Sequence, residues 1–150
     1  MENVNIIHNT GPVLILCMEE SSVVEFHGSN TFADNNCKNS SYATLHLMHN
    51  CHVTFYGNAS FRQNKGSYGA VCANNAEIHF QGNVSFLDNE GEYGGALILH
   101  QSNVSVRNGQ FAEVSFVRNH AQESGGAVYA INSQIIIGSE QHLSFVENKG

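Results

Sequence analysis

The stretch Gly82–Leu99 reads GNVSFLDNEGEYGGALIL and combines several features that often mark functional sites. It contains a glycosylation sequon at Asn83, a Phe-x-x-Asn motif that starts at Phe86, the acidic residues Glu90 and Glu92, a Gly-Gly step and an apolar run. The same parts recur in the same order elsewhere in the chain. The stretch is therefore first of all one unit of an internal repeat.

Phe-x-x-Asn is the most regular part of the repeat. It occurs five times, and successive Asn residues are 29, 25, 30 and 29 positions apart. A unit of 25–30 residues cannot bury its own apolar face, so the units must stack on one another. The motif residues are Phe32 and Asn35, Phe61 and Asn64, Phe86 and Asn89, Phe116 and Asn119, and Phe145 and Asn148.

Three short strands separated by turns fit into each unit. One is a β-branched run such as VVEF at Val23–Phe26, the second carries the Phe motif, and the third follows a small-residue start such as GGALIL at Gly94–Leu99. No segment has a sustained 3.6-residue apolar period, which disfavours helices. The pattern predicts an all-β parallel β-helix of about five rungs. A β-propeller is the alternative, but its blades of about 40–45 residues are too long for this repeat.

Stacked units place each motif residue in a defined row. We expect the five Phe side chains to form one inward column and the five Asn side chains to form a hydrogen-bonded ladder at a corner. The steps Gly94-Gly95 and Gly125-Gly126 predict a second corner, where a Cβ would clash or the backbone needs a positive φ.

The sequence leaves open which side chains of the strand after Gly-Gly face the interior. Val71, Leu97 and Val128 suit an inward-facing row. The weaker copy that holds Leu45 and Leu47 favours the opposite phase.

The charge and hydropathy of the chain argue against nucleic-acid binding and against a membrane-spanning segment. The formal net charge is −7, and only six Lys and Arg residues are present, scattered singly. This argues against nucleic acid as a partner. The longest apolar run, VLILCM at Val13–Met18, is too short to cross a bilayer, so we expect no membrane-spanning segment in this chain.

The combination of Gly-Gly-Ala-[Val/Ile/Leu] with Phe-x-x-Asn resembles the repeats of the chlamydial polymorphic membrane proteins. Gly94–Leu97, Gly125–Val128 and the five Phe-x-x-Asn motifs carry the resemblance, which extends from about Gly11 to Gly150. Similar repeats occur in large extracellular β-helix proteins of eukaryotes. The resemblance implies a right-handed parallel β-helix and a surface-displayed, often adhesive, stalk.

Nine histidines raise the question of a metal site, because imidazole nitrogen is a good zinc or copper ligand. His46, His49 and His52 are three residues apart. Residues at that spacing on a strand point to opposite faces, so we expect these histidines to be solvated or in turns, and we predict no metal or other cofactor.

Catalytic carboxylates deserve a test because β-helices also support pectin lyases and polysaccharide hydrolases. Asp34 and Asp88 both occupy the third place of Phe-x-x-Asn, which places them two rungs and roughly 10 Å apart. That separation is close to that of inverting glycosidases. Gln63 intervenes, and Glu90 and Glu92 fit a solvated loop, so no catalytic residue is predicted.

Cysteines and sequons bear on the cellular compartment. Cys17, Cys37, Cys51 and Cys72 do not share a repeat position; they allow two disulfides or free apolar thiols. Asn-x-Ser sequons make four residues candidates for glycosylation. They are Asn39, Asn58, Asn83 and Asn103.

The sequence favours a non-enzymatic β-helix segment of an extracellular or cell-surface protein that displays an adhesin-like binding face. The alternative is a carbohydrate-active β-helix enzyme. Residues 1–150 should form one repeat domain, a segment of a longer solenoid, because the chain ends where the next Gly-Gly strand is due. Expected partners are neighbouring rungs of the same longer chain and surface glycans or proteins.

Overall fold

Each Phe motif begins near the end of a short strand, and that strand pairs in parallel with the equivalent strand of the next repeat unit. A computed structural model describes residues 1–11, 22–38, 41–107 and 112–150, together with the backbone of residues 14–16. Within these ranges the regular secondary structure is entirely β-strand. The predicted all-β, parallel solenoid is confirmed.

The strands follow one another at short intervals along the chain. The first part of the chain contains β1 (Asn5–Ile7), β2 (Leu14–Leu16), β3 (Val23–Phe26), β4 (Asn30–Ala33), β5 (Asn36–Cys37), β6 (Leu45–Leu47), β7 (Cys51–Phe55), β8 (Ala59–Arg62), β9 (Lys65–Gly66) and β10 (Val71–Asn74). The second part contains β11 (Ala76–Phe80), β12 (Val84–Leu87), β13 (Glu90–Tyr93), β14 (Leu97–His100), β15 (Asn103–Val106), β16 (Glu113–Val117), β17 (His120–Ser124), β18 (Val128–Ile131), β19 (Gln134–Ile137) and β20 (His142–Val146).

Four parallel sheets form the walls of the solenoid. Sheet 1 carries the Phe motifs and has the order β1-β4-β8-β12-β16-β20. Sheet 2 is β5-β9-β13-β17, sheet 3 is β2-β6-β10-β14-β18, and sheet 4 is β3-β7-β11-β15-β19. The strands β4 to β19 make about four complete turns, and partial turns flank them.

Each complete turn has four strands, whereas the sequence predicted three. The additional strand, in sheet 2, lies where a polar turn was expected after Phe-x-x-Asn. Asn36, Lys65, Glu90 and His120 are in register there. Because β5 and β9 are only two residues long and lack β-branched side chains, neither periodicity nor propensity identifies this strand.

The five motif Phe residues stack in one inward column of sheet 1. Successive rings are parallel within 11°, and their centroids are 4.8–4.9 Å apart. This spacing equals the distance between paired strands, so every ring sits on the ring of the turn below. A second aromatic column in sheet 4, Phe26, Phe55 and Phe80, packs edge-on against the first.

The motif Asn residues form a continuous ladder beside the Phe column. In each step the side-chain Nδ2 donates to the Oδ1 of the next Asn at 2.9–3.0 Å. From Asn35 onwards Nδ2 also donates to the carbonyl at the Phe position of the preceding turn. Asn9 extends the ladder to the first turn, where Ile6 takes the place of Phe. The buried amides are thereby satisfied without water.

The left-handed residue of this corner is not the Asn but the residue before it. The φ angle is between 50° and 57° at each of these positions. Left-handed backbone costs a residue with a Cβ roughly 1 kcal/mol, and the ladder holds it in place. The residues are His8, Asp34, Gln63, Asp88, Arg118 and Glu147.

The Gly-Gly corner combines the two reasons given for it. Gly94 and Gly125 have positive φ angles of 50° and 77°. Gly95 has an ordinary φ, but a Cβ there would lie 2.4 Å from the Gly126 carbonyl oxygen. The strands that follow face alike, because Leu45, Val71, Leu97 and Val128 are in register. The opposite phase suggested for the Leu45 copy is therefore wrong: Ala43 and Thr44 align there with Gly69 and Ala70.

Replacement of Gly95 by Val should lower the free energy of unfolding by about 3 kcal/mol, because the added carbons meet the backbone of His120 and Gly126 in the next turn. Glu92→Val is the matched control, since Glu92 is exposed on the same strand region and should change stability by about 0.5 kcal/mol or less. Chemical denaturation of both variants measures the difference. Equal losses would contradict the steric role of Gly95.

The last turn exposes its apolar side chains. Phe145 is 53% exposed although its ring continues the Phe column.

Among the described residues no helix is long and apolar enough to cross a membrane.

Candidate functional site

The outward face of sheet 3 carries a buried mixed cluster. Its central row contains His46, Cys72, Ile98 and Tyr129, one from each turn. Outward residues of a solenoid are normally exposed, yet the first three are only 5–8% exposed. Another layer of side chains therefore covers this row.

Tyrosine side chains supply that layer. Tyr68 and Tyr93 pack against Cys72 and Ile98 in a small apolar cluster separate from the main core. The ring centroids of His46 and Tyr68 are 6.2 Å apart, and those of Tyr93 and Tyr129 are 5.4 Å apart. At the start of the row Tyr42 meets His46 edge-on at 5.2 Å.

A cleft of about 270 Å³ is lined by Tyr68, Tyr93 and Tyr129, and we call it the aromatic cleft. Its floor is apolar, its walls are aromatic, and Asn74 and His100 form an exposed rim. Such a mixture of apolar surface and few polar groups is typical of small-ligand sites. The lining residues are His46, Tyr68, Cys72, Asn74, Tyr93, Ile98, His100 and Tyr129.

Burial controls the chemistry of both titratable groups deep in the cleft. Desolvation lowers the pKa of His46, so the imidazole is neutral at pH 7. Desolvation also raises the pKa of the free Cys72 thiol to about 12. Cys72 is therefore a thiol rather than a nucleophilic thiolate, although it neighbours His46 across the strand pair.

Recurring tyrosines in the sequence indicate the cleft, but they are not part of the repeat motifs identified above. Tyr42, Tyr68 and Tyr93 each precede the small-residue step that starts a sheet 3 strand, as in SYA, SYGA and EYGGA. The outward row itself shares no chemistry between turns, so only the tyrosines could have indicated the face.

The structure does not bring the three closely spaced histidines together. His46 lies beneath the tyrosines, and His49 is an exposed left-handed corner residue. His52 is on sheet 4, where its Nδ1 lies 3.0 Å from the Glu77 carboxylate. Within the described ranges, no group of three His, Cys, Asp or Glu side chains could hold a metal ion.

The two aspartates considered as catalytic acids are both held by arginine. Arg118 donates two hydrogen bonds to Asp88, at 2.7 and 2.9 Å. Arg62 approaches Asp34 at 3.4 Å. Both aspartates occupy left-handed corner positions one residue before a ladder Asn, so the repeat accounts for their placement.

Glu90 is not in the solvated loop that the sequence suggested. It begins β13, and its carboxylate bridges Lys38 at 2.6 Å and Lys65 at 3.4 Å, so it ties neighbouring turns together. The hydrogen bond from Lys38, with the charge of both lysines, lowers the pKa of Glu90. Glu92, by contrast, is exposed.

Glu90→Gln should lower stability by about 1 kcal/mol at pH 7, the upper range for surface ion pairs. Because the folded-state pKa is depressed, the contribution is present above the unfolded pKa of about 4.3 and is lost as pH falls through the lower folded value. Thermal melts from pH 7 to pH 3 should show the wild-type advantage shrinking below about pH 4. Glu92→Gln is the control, and an equal, pH-independent loss in both variants would contradict the bridge.

Three of the four sequons lie in described parts of the chain. Asn58, Asn83 and Asn103 are all exposed, whereas Asn39 lies outside the described residues. The Oδ1 of Asn58 accepts a hydrogen bond from the Asn83 backbone N–H, one turn away. Glycosylation at these sites stays a prediction.

The described cysteines differ in their bonding. Cys51 is disulfide-bonded, and Cys72 is a free thiol. The Cys37 sulfur lies 2.9 Å from the Gly11 carbonyl oxygen, to which it donates. Cys17 lies outside the described residues.

Comparison of the chain with protein families, with curated proteins and with solved structures finds no match. The repeat architecture therefore rests on the sequence period and the strand pairing, and the resemblance to chlamydial repeats stays a prediction.

Proposed function

We propose that this chain is a non-enzymatic β-helix repeat segment of an extracellular or cell-surface protein, in which a stiff stack of turns displays a binding face in the manner of an adhesin. The observation that carries the proposal is the aromatic cleft, a concave site with a neutral imidazole and without a carboxylate or thiolate among its described lining residues. Such a site suits binding rather than bond cleavage.

The remaining repeat residues support a scaffold role. Phe32, Phe61, Phe86 and Phe116 and the Asn residues of the same four motifs are buried. The two aspartates considered as acids are paired with arginine. This disfavours the alternative of a carbohydrate-active enzyme, which needs a free acid and base around one substrate bond.

Surface exposure of the protein is supported by three observations. Cys51 is disulfide-bonded, which fits an oxidising compartment. The sequons at Asn58, Asn83 and Asn103 are exposed. The repeat resemblance implies a surface stalk.

Binding and turnover assays on the purified chain test the proposal together. We expect the protein to retain members of an array of surface glycans and extracellular proteins, and to leave pectin, polygalacturonate and chitin oligomers uncleaved. Clear turnover of any of these polysaccharides would overturn the proposal in favour of the enzyme. A lack of retention of every arrayed glycan and protein would also overturn it.

A further inference from the structure

We propose that the aromatic cleft binds one neutral pyranose ring of a glycan, with the apolar face of the sugar against tyrosine rings and one sugar hydroxyl bonded to His46 Nδ1. This inference rests on the proposed binding function and names the class of ligand for it. Three features of the cleft carry the inference: an orphan polar atom, the absence of charge and the size of the opening.

His46 supplies the polar anchor. The residue is 5% exposed and lines the cleft. Its Nδ1 is itself closed to solvent and has no hydrogen-bond partner within the described part of the chain, so a bond to it requires a rotation of the imidazole toward the cleft. A buried polar atom without a partner is unfavourable, so a ligand that reaches it gains a bond that water supplies poorly there. A hydroxyl group fits either tautomer of the ring, because it both donates and accepts.

The lining residues exclude a strongly charged ligand. None of the eight described residues around the cleft is Lys, Arg, Asp or Glu, and burial keeps His46 neutral. An anionic sugar such as a uronic acid would lose its hydration without a cation to compensate. The ligand is therefore uncharged.

The walls and dimensions favour a sugar ring over a protein side chain. Tyr68, Tyr93 and Tyr129 line the cleft, and tyrosine combines an aromatic ring with a hydroxyl group, which suits the C–H face and rim hydroxyls of a pyranose. A volume of about 270 Å³ accommodates a single ring. A protein partner would need exposed apolar surface around the cleft. Among the exposed large apolar residues that the structure describes, only Ile131 pairs with a rim residue, His100, so such a surface is missing there.

Nuclear magnetic resonance titration of the intact chain with neutral methyl hexopyranosides and methyl N-acetylglucosaminide tests the site. A single ring of about 13 non-hydrogen atoms should bind with a dissociation constant on the order of 1 mM. We expect ring signals of His46, Tyr68, Tyr93 and Tyr129 to shift with at least one of these sugars. The methyl glucuronide should bind at least tenfold more weakly, and equal or tighter binding of the anion would overturn the neutral assignment.

Two variants and one control locate the binding. His46→Phe, which keeps an aromatic ring without the nitrogen, and Tyr93→Ala should each weaken binding at least tenfold. Tyr56→Ala is the matched control, because Tyr56 is exposed and stacked on His27 away from the cleft. Thermal melts show which variants remain folded, and His46→Phe alone suffices if Tyr93→Ala unfolds.

The outcomes separate this inference from the proposed function. Sugar binding that survives His46→Phe, or failure of every neutral monosaccharide to shift the cleft signals, overturns the cleft assignment. Retention of glycans or proteins on the array in either case leaves the binding function standing. Hydrolysis of an oligosaccharide would overturn the proposed function itself.

Discussion

Phe86→Asp is expected to unfold the domain. The Phe86 ring is 1% exposed and lies between the rings of Phe61 and Phe116, at 4.9 and 4.8 Å. Loss of a buried Phe side chain alone costs about 3–5 kcal/mol, and a carboxylate without a partner in that column adds a penalty of several kcal/mol. The sum is comparable to the whole stability of about 5–15 kcal/mol that a domain of this size has.

Far-UV circular dichroism and thermal melts measure the effect, and two variants on the same strand serve as controls. Ser85→Asp places the same charge on the outward face, where Ser85 is half-buried and bonded to Ser60, so it should fold. Phe86→Leu keeps an apolar side chain and should lose only about 1–3 kcal/mol. A near-native spectrum for Phe86→Asp would contradict the inward Phe column.

The period of the sequence predicted the interior of the solenoid because the interior repeats chemistry as well as geometry. Phe stacks on Phe and Asn bonds to Asn, so each column is visible as a recurring residue type. The first turn shows the limit of this reasoning. Ile6 and Asn9 occupy the same column and ladder, but without the Phe the copy falls below recognition.

Features that repeat in geometry but not in residue type were missed. The left-handed corner holds Asp34, Gln63 and Arg118 at equivalent positions, so no recurring residue type reveals the backbone conformation that these positions share. The strands of sheet 2 are likewise set by pairing with neighbouring turns rather than by their own propensity.

The aromatic cleft could not be predicted because turn length varies around it. One Gly precedes Ala70, whereas two precede Ala96, which shifts Tyr93 relative to Tyr68. The strand register is nevertheless kept on both sides, because Lys65 pairs with Glu90 and Val71 pairs with Leu97, so the extra residue is accommodated between Glu90 and Leu97. The space between the tyrosines is thus a product of tertiary packing, and only the recurring Tyr could have pointed to it.

The Asn ladder should be nearly as important for stability as the Phe column, and Asn89→Leu tests it. Asn89 Oδ1 accepts from the Asn64 backbone N–H and Nδ2 at 3.0 Å, and its own Nδ2 donates to Asn119 Oδ1 and the Phe61 carbonyl at 2.9 Å. Leu has a similar size but leaves these buried partners without hydrogen bonds. Each partner that water cannot reach then costs about 1–3 kcal/mol. We expect a loss of roughly 4 kcal/mol in the free energy of unfolding.

A double-mutant cycle decides whether the loss comes from the ladder or from poor packing of Leu. Asn64 and Asn89 bond directly, so Asn64→Leu with Asn89→Leu should cost less than the sum of the single losses by about 1–3 kcal/mol, because the second substitution removes donors that the first had orphaned. Asn148→Leu is the end-of-ladder control: Asn148 is half-buried, and water can replace part of what its side chain provides. Strict additivity of Asn64 and Asn89, or an equal loss at Asn148, would show that burial of an amide-sized side chain, rather than the chain of hydrogen bonds, holds this corner together.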